Sequence, residues 1–517
     1  MDDAATGDVT DAIVVGAGLT GLACARELSK RGLRVMVLEA GREVGGVVGT
    51  FETNGFLFES GPNTVPASAL NVREAAADLG IDGQLVTSRP EAKRRFLFID
   101  GGLHALPSSP RSLVSTPILS ARAKRRLFTE PFRRYRAPMD DVEPSFEDFL
   151  TERIGSEATR TLAGAFVRGV YAAEIEELGS ESAFPRLVRM CREHGGLVRG
   201  MMARGRAAKR ARRREEAQPP GPRTSATDLI SFGGGFGTLT RAYGRALEGA
   251  VSTSTPLAEL DRGPGGWRAI LESGESLACR ELVLAVPAPI AHPLVAMCAP
   301  ERLDLDGLRD IDHAAVTAVH LGLEGATLPP GFGFLVPPDE EARRDPRTPR
   351  VLGVLFVSNI FSSRAPSGTS SITAMFRGGD VANLVGDALV DRAVVELEKA
   401  LIGYRVVHPG AGPAPATRPR VVASQVQRWT NVIPRYGPGH ADRMQKLASS
   451  ASRMLPGLHL VGSYVGGVSV DDRIRVGRAT GDVVHARLSR SGGRDPDAAD
   501  GIRQAVRSGD EIPGGAR

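Results

Sequence analysis

Short apolar runs and one helical repeat alternate near the start of the chain. The run at residues 12–15 is rich in β-branched side chains and has the length of a buried strand. A pattern typical of a helix follows over residues 22–31, and a second apolar run at 35–38 ends at Glu39. Strand, helix and strand in this order predict a βαβ unit at the start of a parallel sheet.

A glycine-rich turn joins the first predicted strand to the helix, with the sequence Gly16-Ala17-Gly18-Leu19-Thr20-Gly21. Gly16 permits the turn, Gly18 lets the backbone approach a pyrophosphate, and Gly21 lets the helix pack against the strand. The N–H groups at the start of the helix would bind phosphate oxygens. The carboxylate of Glu39 would accept hydrogen bonds from a ribose 2′-OH and repel a 2′-phosphate, which favours FAD or NAD over NADP.

The residues that follow Glu39 favour FAD over NAD as the cofactor. The stretch Gly41-Arg42-Glu43-Val44-Gly45-Gly46 has an arginine and a glycine pair where the chain would pass under the ribityl group and phosphates of a flavin. A glycine turn used only for packing is the alternative for an isolated motif. Here a strand precedes the turn, a helix follows it, and an acidic residue comes about 20 positions later, so FAD is the predicted cofactor.

Patterns further along the chain return to this sheet and also predict a second one. Residues 282–286 and 458–461 have the character of buried strands, and the helix predicted over 471–487 would place its N-terminus at the N1–C2=O edge of a flavin. A hairpin that turns at Asp100-Gly101 is predicted over 93–104. Four other stretches predict a mixed sheet that would hold a substrate, namely 317–323, 333–336, 351–357 and 371–377.

The predicted fold class is α/β, with a discontinuous Rossmann-type FAD-binding domain, a mixed-sheet substrate domain and a helical domain that could associate with a membrane. The length of 517 residues favours several domains, because a single core rarely serves a chain of this size. The predicted segments are 11–92, 225–300 and 420–490 for the FAD-binding domain, 93–107 and 301–419 for the substrate-binding domain, 108–224 for the helical domain with a basic loop, and 491–517 for a disordered tail.

Charge and cysteine content bear on partners and compartment. The net charge is +5, and basic and apolar residues are interleaved over 118–136, as in helices on an anionic membrane surface and also in solvated helices. Residues 196–223 are denser in arginine but lack aromatic residues for base stacking, so a mobile solvated loop is favoured over nucleic-acid binding. Four cysteines without metal-type spacing suggest a reducing compartment. We expect a cytoplasmic location without a nucleic-acid partner; peripheral contact with the inner face of the membrane and homodimer formation stay open.

Several stretches in the middle and at the end of the chain carry a family resemblance. They are Phe166-Val167-Arg168-Gly169-Val170-Tyr171-Ala172, Ser182-Ala183-Phe184-Pro185-Arg186-Leu187, Ser231-Phe232-Gly233-Gly234-Gly235 and Tyr464-Val465-Gly466-Gly467-Val468-Ser469-Val470-Asp471-Asp472. With them, residues 11–487 resemble the oxygen-dependent, FAD-containing protoporphyrinogen oxidases. The nucleotide motif alone is shared with the wider flavin amine oxidase superfamily. One departure is Ala173-Glu174, where the family commonly has Gly-Asp.

The resemblance implies a set of site residues at matching positions. Those lining FAD would be Gly16, Gly18, Gly21, Glu39, Ala40, Arg42, Gly45, Gly46, Gly61 and Pro62, with Val251 at the adenine end, Trp429 on a strand beside the cofactor, and Val468 and Val470 at the isoalloxazine end. Arg95 would bind a substrate propionate, and the carbonyl of Gly169 would face the tetrapyrrole. Leu335 and Leu352 would sandwich the macrocycle. No catalytic side chain and no metal ion are implied.

The implied reaction is the oxidation of a porphyrinogen in haem and tetrapyrrole biosynthesis. Saturated meso carbons would give hydride to the flavin in three two-electron oxidations, and O2 would reoxidise the flavin to give H2O2. Protoporphyrinogen IX is the expected substrate. Coproporphyrinogen III carries four propionates and stays an alternative because Lys93, Arg94 and Arg168 are basic. A flavin amine oxidase and a non-enzymatic carrier with the FAD fold are more distant alternatives.

Overall fold

The structure, a computed structural model, describes residues 10–135, 142–215, 228–263, 265–342, 351–411 and 418–490. Their strands form two seven-stranded sheets, a three-stranded sheet and a hairpin. In chain order the strands are β1 (Thr10–Val15), β2 (Val35–Leu38), β3 (Thr50–Thr53), β4 (Phe56–Glu59), β5 (Val65–Pro66), β6 (Leu85–Thr87), β7 (Phe96–Ile99), β8 (Gly102–Ala105), β9 (Leu229–Phe232), β10 (Val251–Ser252), β11 (Leu257–Gly263), β12 (Gly266–Leu271), β13 (Ser276–Leu284), β14 (His313–Glu324), β15 (Gly333–Leu335), β16 (Val351–Leu355), β17 (Ser370–Arg377), β18 (Arg420–Pro434) and β19 (Leu458–Leu460).

Helices surround the sheets and form a separate layer in the middle of the chain. In chain order they are α1 (Leu19–Lys30), α2 (Leu70–Asp78), α3 (Pro110–Ser115), α4 (Ala121–Thr129), α5 (Phe146–Ile154), α6 (Ser156–Ala158), α7 (Ala165–Tyr171), α8 (Ser180–Ala183), α9 (Pro185–His194), α10 (Leu197–Glu215), α11 (Gly237–Ala246), α12 (Ala288–Cys298), α13 (Asp306–Arg309), α14 (Pro338–Ala342), α15 (Val357–Ile360), α16 (Asp387–Val407), α17 (His440–Met454) and α18 (Val470–Arg490). A π-helical segment, Thr159–Gly164, joins α6 to α7. Among the described helices, none combines the length and apolar character needed to cross a bilayer.

The first sheet is built on the predicted βαβ unit, and the α/β fold class is confirmed. Its strands lie in the order β10-β2-β1-β13-β12-β11, and β19 also pairs with β13. Strands β10, β2, β1, β13 and β19 are parallel, so the run at 282–286 and the run at 458–461 do return to the cofactor sheet. Helix α18 packs closely on α1, since a Cβ placed on Gly477 would lie 2.3 Å from the carbonyl oxygen of Thr20.

The second sheet has the order β18-β14-β17-β16-β15-β7-β8, with one parallel pair between β15 and β7. The predicted hairpin at 93–104 therefore joins the sheet predicted from residues 317–377. Phe96, Val354 and Phe376 belong to a core cluster that also includes Leu397 of α16, so this helix covers one face. Strand β18 pairs with β14 from Arg420 to Pro434, whereas the sequence pattern predicts that residues 420–490 belong to the FAD-binding domain. Only its long antiparallel partner, about 100 residues earlier in the chain, identifies its sheet.

Helix α10 corrects the loop expected at residues 196–223. Residues 197–215 are helical, and residues 216–223 lie outside the described part of the chain, as does the predicted tail at 491–517. The buried carboxylate of Glu130 accepts hydrogen bonds from the N–H groups of Leu197 at 2.8 Å and Val198 at 3.0 Å. Arg153 forms an ion pair with the same carboxylate at 3.1 Å. The cap comes from a residue far away in sequence, which explains why the local pattern predicted a loop.

A buried ion pair connects the β3–β4 hairpin to the segment that precedes β17. Glu59 Oε1 at the end of β4 lies 3.0 Å from Nη2 of Arg364, and each side chain is 1% exposed. Arg364 also donates to the carbonyl of Gly233 at 3.0 Å and to Oγ of Ser231 at 2.8 Å. Glu59 accepts a hydrogen bond from the N–H of Phe236 at 3.1 Å. Burial raises the pKa of Glu59 to about 7, against the opposing effect of Arg364.

We expect Arg364→Met to lower the free energy of unfolding by about 3–5 kcal/mol at pH 8, because an uncompensated carboxylate would stay buried. The pKa of Glu59 is raised in the folded protein, so its protonated form favours folding below pH 7. The decrease in the free energy of unfolding caused by Arg364→Met should therefore be smaller at pH 6 than at pH 8. Thermal unfolding at both pH values measures this, with Arg420→Met as a control that removes an exposed pair with Glu324 and should change little. An equal decrease in the free energy of unfolding at pH 6 and pH 8 would contradict the raised pKa of Glu59.

Candidate active site

The glycine turn between β1 and α1 has the geometry of a phosphate cradle. Gly16 has a φ of +99°, and a Cβ there would lie 2.7 Å from the carbonyl oxygen of Ala285. A Cβ on Gly21 would lie 1.9 Å from the carbonyl oxygen of Gly16, so only glycine lets the helix approach the turn. A Cβ on Gly18 would meet nothing within 4 Å. Gly18 thus faces open space at the start of α1, where backbone N–H groups can bind an anion.

Glu39 lies at the end of β2, beside this turn. Its Oε2 accepts a hydrogen bond from the N–H of Ala17 at 2.7 Å, and its Oε1 accepts one from the N–H of Gly41 at 2.8 Å. The N–H of Glu39 donates to the carbonyl of Ser252 at 2.8 Å, which brings β10 and Val251 alongside. Ala40 and Arg42 are exposed nearby. The expected ribose contact and the expected adenine contact therefore lie at the same end of the sheet.

The remaining glycines of the predicted cofactor site pack against the turn. Gly45 donates its N–H to the carbonyl of Ala17 at 2.7 Å, and a Cβ on Gly46 would lie 3.4 Å from Cα of Gly18. A Cβ on Gly61 would lie 2.4 Å from the carbonyl oxygen of Val47, so the Gly61-Pro62 segment lies on the loop that follows Gly46. The φ angles of +117° at Gly45 and +60° at Gly46, together with the close contact at Gly61, explain why the sequence needs glycine at these places.

Trp429 links the second sheet to this cofactor loop. Its Nε1 donates a hydrogen bond to the carbonyl of Ser60 at 2.8 Å, directly before Gly61. Its register partner on β14 is Val316. The resemblance predicted that Trp429 lies beside the cofactor, and the structure places it against the loop that carries Gly61 and Pro62.

The N-terminus of α18 lies beside the N-terminus of α2, where Asp471 accepts hydrogen bonds from Nδ2 of Asn71 at 2.9 Å and from the N–H of Val72 at 3.1 Å. Val470 is buried in the core cluster that includes Ala17 and Leu19, while Val468 is half-buried against the helical layer. Ser469 Oγ accepts a hydrogen bond from the N–H of Asp472 at 3.1 Å and so caps the helix.

Arg473 is a residue of this region that the sequence reasoning missed. It is buried, and its guanidinium donates to the carbonyls of Gly462, Val465 and Gly467, the second of these at 2.5 Å. These bonds shape the loop between β19 and α18. Burial lowers the pKa of Arg473. The only sequence signal was an arginine at an otherwise apolar helix position.

The predicted substrate residues gather on the face of the second sheet opposite α16. Leu335 Cδ2 lies 2.5 Å from the position of a Cβ on Gly169, so α7 rests directly on β15. Leu352 is buried and packs with Ala172 and Val316. Leu335 thus fills the space above Gly169, and a flat ligand between them requires its side chain to move.

Arg95 lies apart from this contact, at the start of strand β7 in the same sheet. It directly precedes β7, is exposed, and its guanidinium carbon lies 5.3 Å from the ring centroid of Phe332. Leu97, two residues later, is the register partner of Leu335. Arg95 is therefore available to a charged group that projects from a ligand on the apolar face.

His320 lies on this face, buried on β14. Its Nδ1 is 2.9 Å from Oγ1 of Thr373, and its ring stacks on Phe58 with centroids 5.4 Å apart. Burial lowers the pKa of His320 to about 4, so the ring is neutral near pH 7. It contributes no positive charge, and the chemistry of the site depends on a bound redox group and on positioning.

Known proteins with similar sequences and structures are flavoenzymes or their relatives. The model of the family described as flavin-containing amine oxidoreductase matches residues 19–485. Protoporphyrinogen oxidase 2 of Arabidopsis thaliana is 26% identical, over 92% of this chain and 94% of the relative. Coproporphyrinogen III oxidase of Propionibacterium freudenreichii is 28% identical, over 92% of this chain and 91% of the relative. A candidate protoporphyrinogen oxidase from Exiguobacterium matches in structure with a TM-score of 0.73, 21% identity and coverage of 92% and 99% of the two chains, which supports the fold.

We expect Gly18→Ala to weaken FAD binding at least tenfold, about 1.4 kcal/mol, while the thermal unfolding of the flavin-free protein stays the same. The new methyl group would meet no protein atom within 4 Å but would fill the space predicted for the pyrophosphate. Gly21→Ala should instead destabilise the fold, because its methyl group would overlap the backbone of the turn. Gly83→Ala, also without a neighbour within 4 Å, is the matched control. Normal FAD content in Gly18→Ala, measured by flavin absorbance per chain, would reject this site.

Proposed function

Because the chain belongs to the flavin-containing amine oxidoreductase family, we propose that it is an oxygen-dependent oxidase that converts a porphyrinogen to a porphyrin, with protoporphyrinogen IX as the expected substrate. One observation carries the proposal. Trp429, bonded to the loop of Gly61, and the apolar residues Leu335 and Leu352 share one face of the second sheet. A flat apolar substrate on that face would lie beside the predicted flavin.

The residues present fit FAD, since Gly18 faces open space at the N-terminus of α1 and the carboxylate of Glu39 lies beside the same turn. In the proposed site, Gly16, Gly18 and Gly21 allow the backbone to hold the pyrophosphate, and Glu39 binds the ribose. Bound FAD would supply a two-electron acceptor, with O2 as final acceptor giving H2O2. The apolar face would exclude water and orient the saturated carbons of the substrate. Leu335 would rotate away from Gly169 to admit it.

The named relatives support this choice of substrate class over amines. Both sequence relatives described above carry the name of a porphyrinogen oxidase, and each covers more than nine tenths of this chain. The test supplies the purified protein with protoporphyrinogen IX, coproporphyrinogen III and a primary amine in parallel. Porphyrin fluorescence and H2O2 should rise above the non-enzymatic rate with a porphyrinogen. Background rates with both porphyrinogens, or turnover of the amine alone, would reject the proposal.

Arg95 has a separate test as the residue that binds a propionate. Arg95→Ala should raise the KM for the porphyrinogen about tenfold through loss of a charge-assisted hydrogen bond, with kcat and FAD content close to wild type. Arg94→Ala is the matched neighbour, exposed and equally basic. An unchanged KM in Arg95→Ala together with a raised KM in Arg94→Ala would assign propionate binding to Arg94 instead of Arg95.

The helical layer presents a surface that supports peripheral membrane contact as a second proposal. Phe128 and Phe132 are 45% and 83% exposed, and Val114 is 60% exposed. Arg122 and Arg125 of α4 are exposed in the same segment. Apolar side chains next to cations suit an anionic bilayer surface.

We expect the protein to sediment with vesicles that contain anionic phospholipid, and less with zwitterionic vesicles. Phe128→Ser combined with Phe132→Ser should abolish this binding by removing the exposed apolar area. Met297→Ser, an exposed apolar residue of α12 that is 58% exposed, is the matched control. Sedimentation equal to that of wild type in the double variant would argue against the surface.

A further inference from the structure

We propose that Arg377 selects substrates that carry carboxylates at both ends of the macrocycle, by binding a carboxylate at the end opposite Arg95. This specificity role rests on the proposed porphyrinogen oxidase activity. It predicts that Arg377 contributes to the binding of a tetracarboxylate such as coproporphyrinogen III but not to that of a dicarboxylate with two vinyl groups.

Arg377 belongs to a charged cluster with Arg168 and Glu174. Glu174 Oε1 lies 2.6 Å from Nη2 of Arg168, and Oε2 lies 2.9 Å from Nε of Arg168, which makes this pair bidentate. Arg377, the last residue of β17, bonds to the same Oε1. The side chain of Arg168 is 5% exposed, whereas those of Glu174 and Arg377 are each 22% exposed. One carboxylate thus serves two guanidinium groups.

The register of the sheet places this cluster beside the predicted substrate surface. Val316 on β14 is the register partner of both Arg377 on β17 and Trp429 on β18, so the three side chains share one face. Two residues before Arg377 on β17, Met375 pairs with Gly353 of β16, and Gly353 pairs with Leu335 of β15. Arg377 therefore borders the apolar face on the side of the predicted flavin.

Arg95 lies on the other side of this face. Strands β16 and β15 separate β17 from β7, so the strands that carry the two arginines are about 14 Å apart. A macrocycle with one propionate at Arg95 would extend its opposite end toward Arg377. In protoporphyrinogen IX that end carries vinyl groups, whereas in coproporphyrinogen III it carries propionates.

Unused donors of Arg377 favour a carboxylate at this second end. Arg377 bonds to Glu174 through Nη2, and both oxygens of that carboxylate also accept hydrogen bonds from Arg168. Arg377 Nε is buried without a hydrogen-bond partner among the described residues. A guanidinium has five donors and binds a carboxylate through two of them at once. A vinyl group would cover the cation without replacing its water, which is unfavourable.

The test compares the wild-type holoenzyme with Arg377→Met, which keeps a long apolar side chain and removes the charge. The KM for coproporphyrinogen III and the Kd for coproporphyrin III should rise about tenfold or more. The KM for protoporphyrinogen IX and the Kd for protoporphyrin IX should stay within about twofold. Arg428→Met is the matched control, a partly buried arginine next to Trp429 on the opposite face of β18, and should leave both substrates unaffected.

A role that is only structural would change both substrates alike. If Arg377→Met binds less FAD or unfolds at lower temperature, Arg377→Lys takes its place, since lysine keeps the charge but lacks the planar fork. A KM raised only for coproporphyrinogen III supports the inference in either variant. Equal changes for both substrates, or no change for either, overturn it.

Porphyrin binding separates this inference from the proposed function, because fluorescence quenching needs no turnover. If the wild-type protein oxidises neither porphyrinogen, the proposed function fails, and the preference for a tetracarboxylate porphyrin is still decided by the two Kd values. If the wild-type protein oxidises a porphyrinogen but Arg377→Met leaves the preference unchanged, the inference about Arg377 fails and the function stands.

Discussion

The arrangement of the whole site depends on the buried ion pair between Glu59 and Arg364. Glu59 belongs to the hairpin that leads to Gly61, and Arg364 ends a short 3₁₀ helix between α15 and β17 of the substrate sheet. The pair also holds the glycine loop before α11 through Ser231 and Phe236. An ion pair with 1% exposure is costly to bury, and here the carboxylate and both terminal nitrogens of the guanidinium are hydrogen-bonded, which constrains their positions. The hairpin that leads to Gly61 is thereby held against the segment before β17.

Close packing of the backbone around the glycine turn after β1 is the second constraint on the site. The turn after β1 is pressed against β13 and α1 so closely that side chains at Gly16 and Gly21 would overlap main-chain atoms. Gly477 allows the same closeness between α18 and α1. The two helices therefore run side by side in the same direction, and the N–H groups at the start of α1 face the glycine turn. The ion pair and these glycines act together, since the pair positions the hairpin that leads to Gly61 and the glycines position the helices.

Local patterns predicted the parts of the fold whose causes are local. The βαβ unit, the hairpin at 93–104 and the helix at 471–487 each follow from periodicity and turn residues within a short window. Helix α10 did not, because Glu130 caps it from 67 positions away. Strand β18 was assigned to the other domain for a similar reason, as its partner β14 is remote in sequence. The Glu59–Arg364 pair spans 305 positions, and nothing near either residue marks them as partners.

The same limit explains why the glycines of the site were visible in the sequence and Arg364, Arg377 and Arg473 were not. A glycine needed for close backbone approach lies next to the strand or helix it serves, so its role can be inferred from its neighbours. An arginine acts over the length of its side chain and across strands, so its role depends on register. Arg377 shows this, because only the pairing through Val316 brings it into line with Trp429. Where a site combines a glycine cradle with buried arginines, the sequence identifies the cofactor more readily than the substrate.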